Sequence, residues 1–158
     1  MTKTTGSGNS SPVREGNGVQ TLAGEWLLAR DPSNRGHEER WYAFVREEAE
    51  PAPVPGIIQQ VFPDYHGVAW YWHRFRAPVL GSPGERCLLR LGAVDYLAEV
   101  WLNGVAVGGH EGGETPFVLD VTDALQAGRE NVLAVRVLNP TDDPIDGIVL
   151  AQTPHRNK

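Results

Sequence analysis

The sequence predicts an all-β protein, an antiparallel β-sandwich of jelly-roll type. Its 158 residues suffice for one domain, at about 100–200 residues per domain. Its 18 glycines and 12 prolines are too many for a helical bundle of this length. Six or seven β-rich runs follow one another at a spacing of roughly ten residues, with turn residues between them and no alternation with long helices.

Residues 1–20 are rich in Gly, Ser, Thr and Asn and offer almost nothing to bury, which is typical of a disordered leader. We expect the jelly-roll domain to occupy residues 21–158. The leader has no apolar signal-peptide region, and no run in the chain approaches the ~18 apolar residues of a membrane span. We therefore expect a cytoplasmic protein with no membrane partner.

The first strand is expected at residues 22–29, because this β-rich run ends at the turn residues 31–34. Residues 38–44 show weak helical periodicity. An extended path follows them, because closely spaced prolines exclude a helix. These prolines are Pro51, Pro53 and Pro55.

Aromatic and β-branched residues dominate residues 68–76, which predicts a further strand. Side chains alternate across a strand, so the two faces differ in the residues they carry. One face carries Tyr71, His73 and Phe75, and the other carries Trp70, Trp72, Arg74 and Arg76. Large rings on both sides make both faces available for packing or binding.

The strongest local signal is the Asn103-Gly104 pair. A type I′ turn needs positive φ at both central positions, and Asn and Gly are the residues that tolerate it. We therefore expect residues 97–102 and 105–107 to form a hairpin. Another strand, at residues 86–91, precedes it.

Residues 108–114 are dense in glycine and are expected to form a loop in which the backbone passes closely over a neighbour. The segment lacks the Lys-Ser/Thr ending of a P-loop and leads into a strand at 115–121, so phosphate binding is not expected. A short helical turn at 122–127, ended by Gly128, precedes the last predicted strand at 131–137. One face of that strand carries Leu133, Val135 and Val137.

The net charge of −6, without any basic cluster, makes nucleic acid an unexpected partner. The single cysteine, Cys87, excludes a disulfide scaffold and a thiolate zinc site, and its apolar context favours a structural thiol in a core strand. The histidines show no His-x-x-x-His spacing, so neither a metal nor another cofactor is expected. They are His37, His66, His73, His110 and His155.

No catalytic residue is predicted. Glycoside hydrolysis needs two carboxylates held together, whereas the adjacent pairs of this chain lie in polar stretches or turns and are expected to face solvent. These pairs are Glu38-Glu39, Glu47-Glu48 and Asp142-Asp143. A serine hydrolase is not indicated either, because Ser82 lies in a turn and no Gly-x-Ser-x-Gly elbow is present.

Aromatic residues on the predicted strands are numerous. They are Trp26, Trp41, Trp70, Tyr71, Trp72 and Trp101. A sugar ring can lie with its apolar face on an aromatic ring while carboxylates or amides take its hydroxyls, so this set is compatible with carbohydrate binding. The alternative, that the rings fill the sandwich core, is favoured for any single tryptophan.

Three motifs follow one another at a fixed spacing. They are Val100-Trp101-Leu102-Asn103-Gly104, His110-x-Gly112-Gly113-x-Thr115-Pro116-Phe117, and Asp120-Val121-Thr122. In this order they resemble the N-terminal domain of glycoside hydrolase family 2, which includes β-galactosidases, β-glucuronidases and β-mannosidases. The resemblance covers about residues 21–150.

The resemblance implies a galactose-binding-like jelly roll that forms one wall of a sugar pocket. It also implies that the acid/base and nucleophile glutamates of the retaining enzyme come from a downstream (β/α)₈ barrel, which takes about 250 residues. We therefore expect this chain to be inactive by itself and to serve an enzyme that hydrolyses O-glycosyl bonds in carbohydrate metabolism. Its expected partners are the β-glycoside substrate and the downstream domains of the same enzyme.

One substrate-binding residue follows from the resemblance, Asp95. The β-galactosidases of the family carry at this position an Asn that contacts the sugar, and a carboxylate can also accept hydrogen bonds from vicinal hydroxyls. Nearby, Gly112 and Gly113 are expected to permit a backbone turn, and Phe117 is expected to fill the core.

Family members continue past the segment matching residues 140–158 with a last strand. The resemblance therefore implies a fragment that lacks this strand and leaves one sheet edge open. Two other functions stay open at this point. One is a free-standing carbohydrate-binding module with its own aromatic platform, and the other is a purely structural docking domain.

Overall fold

A computed structural model describes residues 18–153. Most of the predicted leader, and His155, lie outside these residues. Within them the chain forms eight β-strands and three single-turn 3₁₀ helices, so the predicted all-β class is confirmed. No helix of this part of the chain is long and apolar enough to cross a membrane.

The strands are numbered in chain order. They are β1 (Gly24–Arg30), β2 (Glu50–Val54), β3 (Gly67–Arg76), β4 (Leu88–Leu91), β5 (Leu97–Leu102), β6 (Val105–Glu111), β7 (Phe117–Asp120) and β8 (Glu130–Asn139). The 3₁₀ helices are Trp41–Ala43, Ile58–Gln60 and Leu150–Gln152.

The strands form two antiparallel sheets. The larger has six strands in the order β2-β1-β3-β8-β5-β6, and the smaller pairs β4 with β7. The centre of the large sheet is the ten-residue ladder of β3 and β8, which runs from Gly67 opposite Asn139 to Arg76 opposite Glu130. The edge strand β2 contains Pro51 and Pro53, which have no backbone N–H to offer to a further strand.

The large sheet is packed on both faces. Its inner face meets the small sheet in a core that includes Leu133 and Val135 of β8 and Phe117 of β7. Its outer face carries a second cluster, which we call the outer layer. The outer layer comprises Ala29, Trp41, Val68, Trp70, Trp72, Trp101, Ala134 and Leu138, with partly buried Tyr42, Val45, Ala49, Ile145 and Ile148 packed against them.

The two faces predicted for the strand at residues 68–76 are confirmed. Tyr71 and Phe75 pack on the inner side, whereas Trp70 and Trp72 are fully buried in the outer layer. The Trp72 indole N–H donates to the Trp41 carbonyl at 2.8 Å, which ties the segment between β1 and β2 to the sheet. That segment therefore forms a third layer over the sheet.

The predicted hairpin at Asn103-Gly104 is confirmed, with φ of 52° and 79° at the two turn residues. The Asn103 side chain also joins the turn to its surroundings. Its Oδ1 accepts from the Val132 N–H at 2.9 Å, and its Nδ2 donates to the Ala124 carbonyl at 2.9 Å and to Asn131 Oδ1 at 2.7 Å.

Two local predictions need correction. Residues 108–111 continue strand β6 instead of forming a loop. They stay paired with β5 beyond a register shift opposite Val100 and Trp101, as far as Glu111 opposite Leu97. The close approach expected there is present, since a Cβ on Gly108 would lie 2.8 Å from Leu119 Cδ2. The predicted helical element at 122–127 is only an irregular turn, in which the Leu125 N–H donates to the Val121 carbonyl at 2.9 Å.

The weak helical periodicity at residues 38–44 does not produce an α-helix. Only the 3₁₀ turn Trp41–Ala43 forms there. It follows Arg40, whose φ is 58°, and it places the Trp41 ring in the outer layer. Tertiary burial of one tryptophan, more than helical propensity, accounts for the local structure.

Candidate functional site

Two loops meet at one end of the sandwich, and we call this place the Asp95 rim. The first loop, residues 92–96, leads from β4 into β5, and the second, residues 112–116, leads from β6 into β7. Antiparallel pairing of β5 with β6 places Leu97 opposite Glu111. The start of one strand and the end of the other therefore hold the two loops side by side.

Asp95 is exposed at this rim. Its side chain lies directly against Gly113, because a Cβ on that glycine would be 2.4 Å from Asp95 Oδ1. The peptide bond between Asp95 and Tyr96 is cis. The glycine thus leaves the room that the Asp95 carboxylate occupies.

Tyr96 anchors the first loop to the sheet. Its backbone N–H donates to the Leu138 carbonyl at 3.0 Å, and its carbonyl accepts from the Gly112 N–H at 2.9 Å. Its hydroxyl donates to Glu111 Oε1 at 2.7 Å. This hydrogen bond to a carboxylate raises the pKa of the Tyr96 hydroxyl, and burial adds to the effect.

The second loop is held by His110 and Phe117. The imidazole of His110 stacks on the Phe117 ring with centroids 4.7 Å apart, and its Nε2 lies 2.8 Å from Thr115 Oγ1. Phe117 is buried, as expected, and Gly112 has a φ of 123° that permits the turn. The His110-to-Phe117 motif is thus a loop-shaping device.

The exposed groups of the rim are acidic. Asp95, Glu111 and Glu114 are all exposed on the two loops or at their ends. Ionised carboxylates accept hydrogen bonds and donate none. The rim can therefore bind hydroxyl or N–H donors, and it repels anions.

The tryptophans are not available as a binding platform. All five are buried, namely Trp26, Trp41, Trp70, Trp72 and Trp101. Tyr71, the sixth ring of the set, packs on the inner side of the large sheet. The interpretation of these rings as core is confirmed for every tryptophan.

The remaining candidate residues are dispersed. The adjacent carboxylate pairs at 38–39, 47–48 and 142–143 are exposed, as expected. His66 binds Asn139 Oδ1 at 2.6 Å, and His73 stacks on Trp26 with centroids 4.8 Å apart. Among residues 18–153 no three His, Cys, Asp or Glu side chains come together in a way that could hold a metal ion.

Cys87 lies immediately before β4 and is partly buried. Burial, and to a smaller extent the nearby Glu85 carboxylate, raises the pKa of its thiol. Its backbone N–H donates to Thr122 Oγ1 at 2.9 Å. A neutral thiol of this kind suits the structural role expected for it, although it lies just outside the strand.

Sequence reasoning missed a buried charge in the outer layer. Arg136 lies in the middle of β8 and is 1% exposed. The signal was present, because Arg136 interrupts the apolar run from Val132 to Leu138. A charged residue at such a position needs partners, and the alternation pattern alone does not name them.

Known proteins resemble this chain in sequence and in fold. Residues 19–153 match the family described as "Glycosyl hydrolases family 2, sugar binding domain". A β-glucuronidase from Paenibacillus borealis is 36% identical over 126 residues, which cover 77% of this chain and 21% of that protein. The human β-glucuronidase is 33% identical over 154 residues, which cover 85% of this chain and 23% of that protein.

Solved structures give the same result. The β-glucuronidase from Ruminococcus gnavus in complex with D-glucaro-1,5-lactone superposes with a TM-score of 0.71 at 27% identity, over 77% of this chain and 22% of that one. The same enzyme in complex with D-glucuronic acid gives a TM-score of 0.70 over 75% and 21%. The chain thus spans about a fifth of the length of the relatives it matches.

Proposed function

Because this chain belongs to the sugar-binding domain of glycosyl hydrolase family 2, we propose that it forms one wall of the sugar pocket in a retaining β-glycosidase of the β-glucuronidase type. The observation that carries the proposal is the match over residues 19–153. The likeness to several β-glucuronidases, in sequence and in structure, supports the narrower substrate class.

We further propose that the chain contributes no catalytic group. In the described residues the only buried carboxylate is Asp31, and its oxygens already accept three hydrogen bonds. The donors are the Trp70 indole N–H at 3.0 Å and the backbone N–H groups of Arg35 and Gly36, both at 2.8 Å. A carboxylate held in this way is a structural acceptor, so the two glutamates that the mechanism needs would come from other parts of the enzyme.

Within the wall, Asp95 is our proposed sugar contact. Its exposed carboxylate can accept hydrogen bonds from vicinal hydroxyls. The exposed charged groups of the rim are acidic, so the rim would not bind the carboxylate of a uronate. Asp95 would therefore bind hydroxyls of a glucuronide, while the carboxylate of that sugar is neutralised by cationic groups elsewhere in the pocket.

The test is a nuclear magnetic resonance titration of the chain with D-glucuronic acid, galactose and mannose. We expect amide shifts confined to residues 92–96 and 111–115, and their loss in Asp95→Ala. Asp123→Ala, which removes an exposed aspartate beside the Asn103-Gly104 turn at the opposite end of β5, should titrate like the wild type. Unchanged spectra with every sugar would overturn the assignment of Asp95 and favour a purely structural docking domain.

A second assay addresses catalysis. The purified chain should release no nitrophenol from nitrophenyl β-glucuronide above a blank. Cleavage that disappears on substitution of a carboxylate in the chain would contradict the proposed division of labour. A free-standing carbohydrate-binding module is disfavoured, because the five tryptophans that could form its platform are buried.

A further inference from the structure

Arg136 is a buried cation within an otherwise apolar surface, the outer layer. It is paired across the large sheet with Trp70 of β3 on one side and with Glu99 of β5 on the other. Isolated buried charges are strongly disfavoured, so this arginine must be compensated by what covers it.

Three side chains from three different segments accept from its guanidinium. Nη1 donates to Glu99 Oε2 at 2.8 Å, and Nη2 donates to Asn34 Oδ1 at 2.7 Å and to Asp146 Oδ2 at 2.6 Å. Nε has no acceptor among the described residues. Among the described residues, all hydrogen bonds of the guanidinium are therefore made by its two terminal nitrogens, Nη1 and Nη2.

The Asp146 carboxylate belongs to a small hairpin that follows β8. Ile145 and Ile148 exchange two backbone hydrogen bonds, of 2.9 and 2.8 Å. Between them Asp146 and Gly147 have φ of 50° and 80°, the signs of a type I′ turn. The Asn34 amide also donates to Asp146 Oδ1 at 3.0 Å, so the carboxylate is bound by two partners.

The backbone of this region has no ladder to the sheet. Within residues 141–153 the backbone hydrogen bonds between main-chain groups stay inside the segment, as in the bond from Leu150 N–H to the Thr141 carbonyl at 2.8 Å. Side-chain contacts alone hold the segment in place. They are the packing of Ile145 and Ile148 on the outer layer and the polar contacts of Asp146.

We propose that Arg136 is a positioning residue that clamps residues 140–149 onto the outer face and so fixes the path of the chain after β8. The Arg136 guanidinium connects three parts of the chain through hydrogen bonds. It binds Asn34 in the segment between β1 and β2, Glu99 in β5, and Asp146 in residues 140–149. The geometry favours Arg over Lys, because the rigid, planar guanidinium holds two separate NH2 groups, one directed at Glu99 and the other at Asn34 and Asp146. This inference does not depend on sugar binding.

The decisive variant is Asp146→Asn, read out by hydrogen exchange of the Ile145 and Ile148 amides in the whole chain. Asn tolerates positive φ as well as Asp, so the change removes the charge and keeps the turn. Hydrogen bonds to charged groups are stronger than neutral ones, and we expect exchange of these two amides to accelerate about tenfold or more. Amides of the β3–β8 ladder should keep their protection.

The matched control is Asp143→Asn, which removes the same charge from the same segment. Asp143 accepts a hydrogen bond from Thr141 through its backbone carbonyl, and no hydrogen bond involves its side chain among the described residues. The exchange of Ile145 and Ile148 should be unchanged in this control. Equal behaviour of the two variants, or exchange at the wild-type rate in Asp146→Asn, would overturn the proposal.

Two further readouts separate a charge clamp from simple packing. About 1 M salt should accelerate exchange of the two amides in the wild type and not in Asp146→Asn, because screening weakens a pair in which Asp146 is 47% exposed. Arg136→Lys combined with Asp146→Asn should exchange no faster at these amides than the faster of the single variants. Additive effects, or a salt response that persists in Asp146→Asn, would contradict the clamp.

Discussion

Gly113 matters because of what it leaves empty. The Asp95 carboxylate occupies the space that a Cβ at position 113 would take. The nature of residue 113 therefore controls where the proposed sugar contact points. Sequence inspection identified both residues separately, but it could not show that they touch, since seventeen residues and two strands lie between them.

Gly113→Ala should displace the Asp95 side chain and leave the fold intact. An added Cβ at 2.4 Å from Oδ1 cannot be accommodated without movement, and a side-chain rotation is the cheapest response. We expect a shift of the Asp95 carboxyl carbon resonance and weaker sugar-induced shifts at residues 92–96. Gly92→Ala is the control, because its Cβ would meet nothing within 4 Å. Identical spectra for the two variants would refute this role.

His73 should make stability depend on pH. Burial lowers the pKa of its imidazole below the ordinary 6.5, with a smaller opposing effect of the Glu25 backbone. The unfolded chain therefore binds more protons near and below pH 6.5. The stabilisation from the neutral ring is complete above that pH and is lost as the pH falls through the folded-state pKa.

The measurement is urea unfolding of the wild type and of His73→Phe at about pH 7.5 and about pH 5.5. Phe keeps a ring against Trp26, which lies 4.8 Å from His73, and removes the titration. The wild type should lose more free energy of unfolding on acidification than the variant does. Equal losses would show that His73 is not the source of the dependence.

At the scale of elements, hairpins with two positive φ values recur. Both Asn103-Gly104 and Asp146-Gly147 show this conformation. The first was predicted, because apolar strands flank it. The second lay unnoticed among the turn residues that follow β8, where no strand pattern draws attention to it. A turn motif is thus readable from sequence mainly when its flanking strands are readable too.

Asn103 should stabilise the fold through its side-chain hydrogen bonds as well as through its turn conformation. Asn103→Ala loses three hydrogen bonds, and Ala tolerates positive φ less well than Asn, so we expect a loss of about 2–4 kcal/mol in the free energy of unfolding. Asn103→Gly keeps the conformational freedom and loses only the hydrogen bonds, so it should be less damaging. Denaturant titrations measure both. A Gly variant as stable as the wild type would show that the hydrogen bonds add nothing.

The strand pattern predicted most of the large sheet, since alternation and β-branched content identify β1, β3, β5 and β8. It did not identify the extension of β6 through Gly108 and Gly109, where residues of low strand propensity are needed for close backbone approach. The structure pairs β2, despite its prolines, only as an edge strand. Packing constraints of this kind have no local signature.

At the scale of the molecule, the outer layer was the least predictable feature. A β-sandwich is expected to have one core, between its two sheets, and the cluster between the large and the small sheet is that core. The acceptors of Arg136 and the residues that cover Trp70 and Trp72 come from segments distant in sequence that fold over the other face. The candidate site was predictable only as far as the resemblance reached, which gave Asp95 but neither Tyr96 nor its bond to Glu111.

Alkaline unfolding should report on the whole fold. Burial raises the pKa of Tyr65 and of Tyr71 from about 10 to about 12. Between these values the unfolded chain releases protons that the folded chain retains, so stability falls as the pH rises from 10 towards 12. Ultraviolet absorbance of tyrosinate should show Tyr65 and Tyr71 ionising near pH 12, and the amplitude of that step should fall by one tyrosine in Tyr71→Phe. Four tyrosines that ionise together near pH 10 would contradict the burial.

The packing of the large sheet on both faces has a consequence for tolerance to substitution. In β4 exposed and partly buried residues alternate, so a scan of all substitutions there should alternate between permissive and restrictive positions. In β8 six consecutive residues, 133–138, are buried, and the same scan should find an unbroken restrictive block. Natural variation in this domain should therefore collect in the small sheet and the loops, and the middle of β8 should change only through paired substitutions with the segments that cover it.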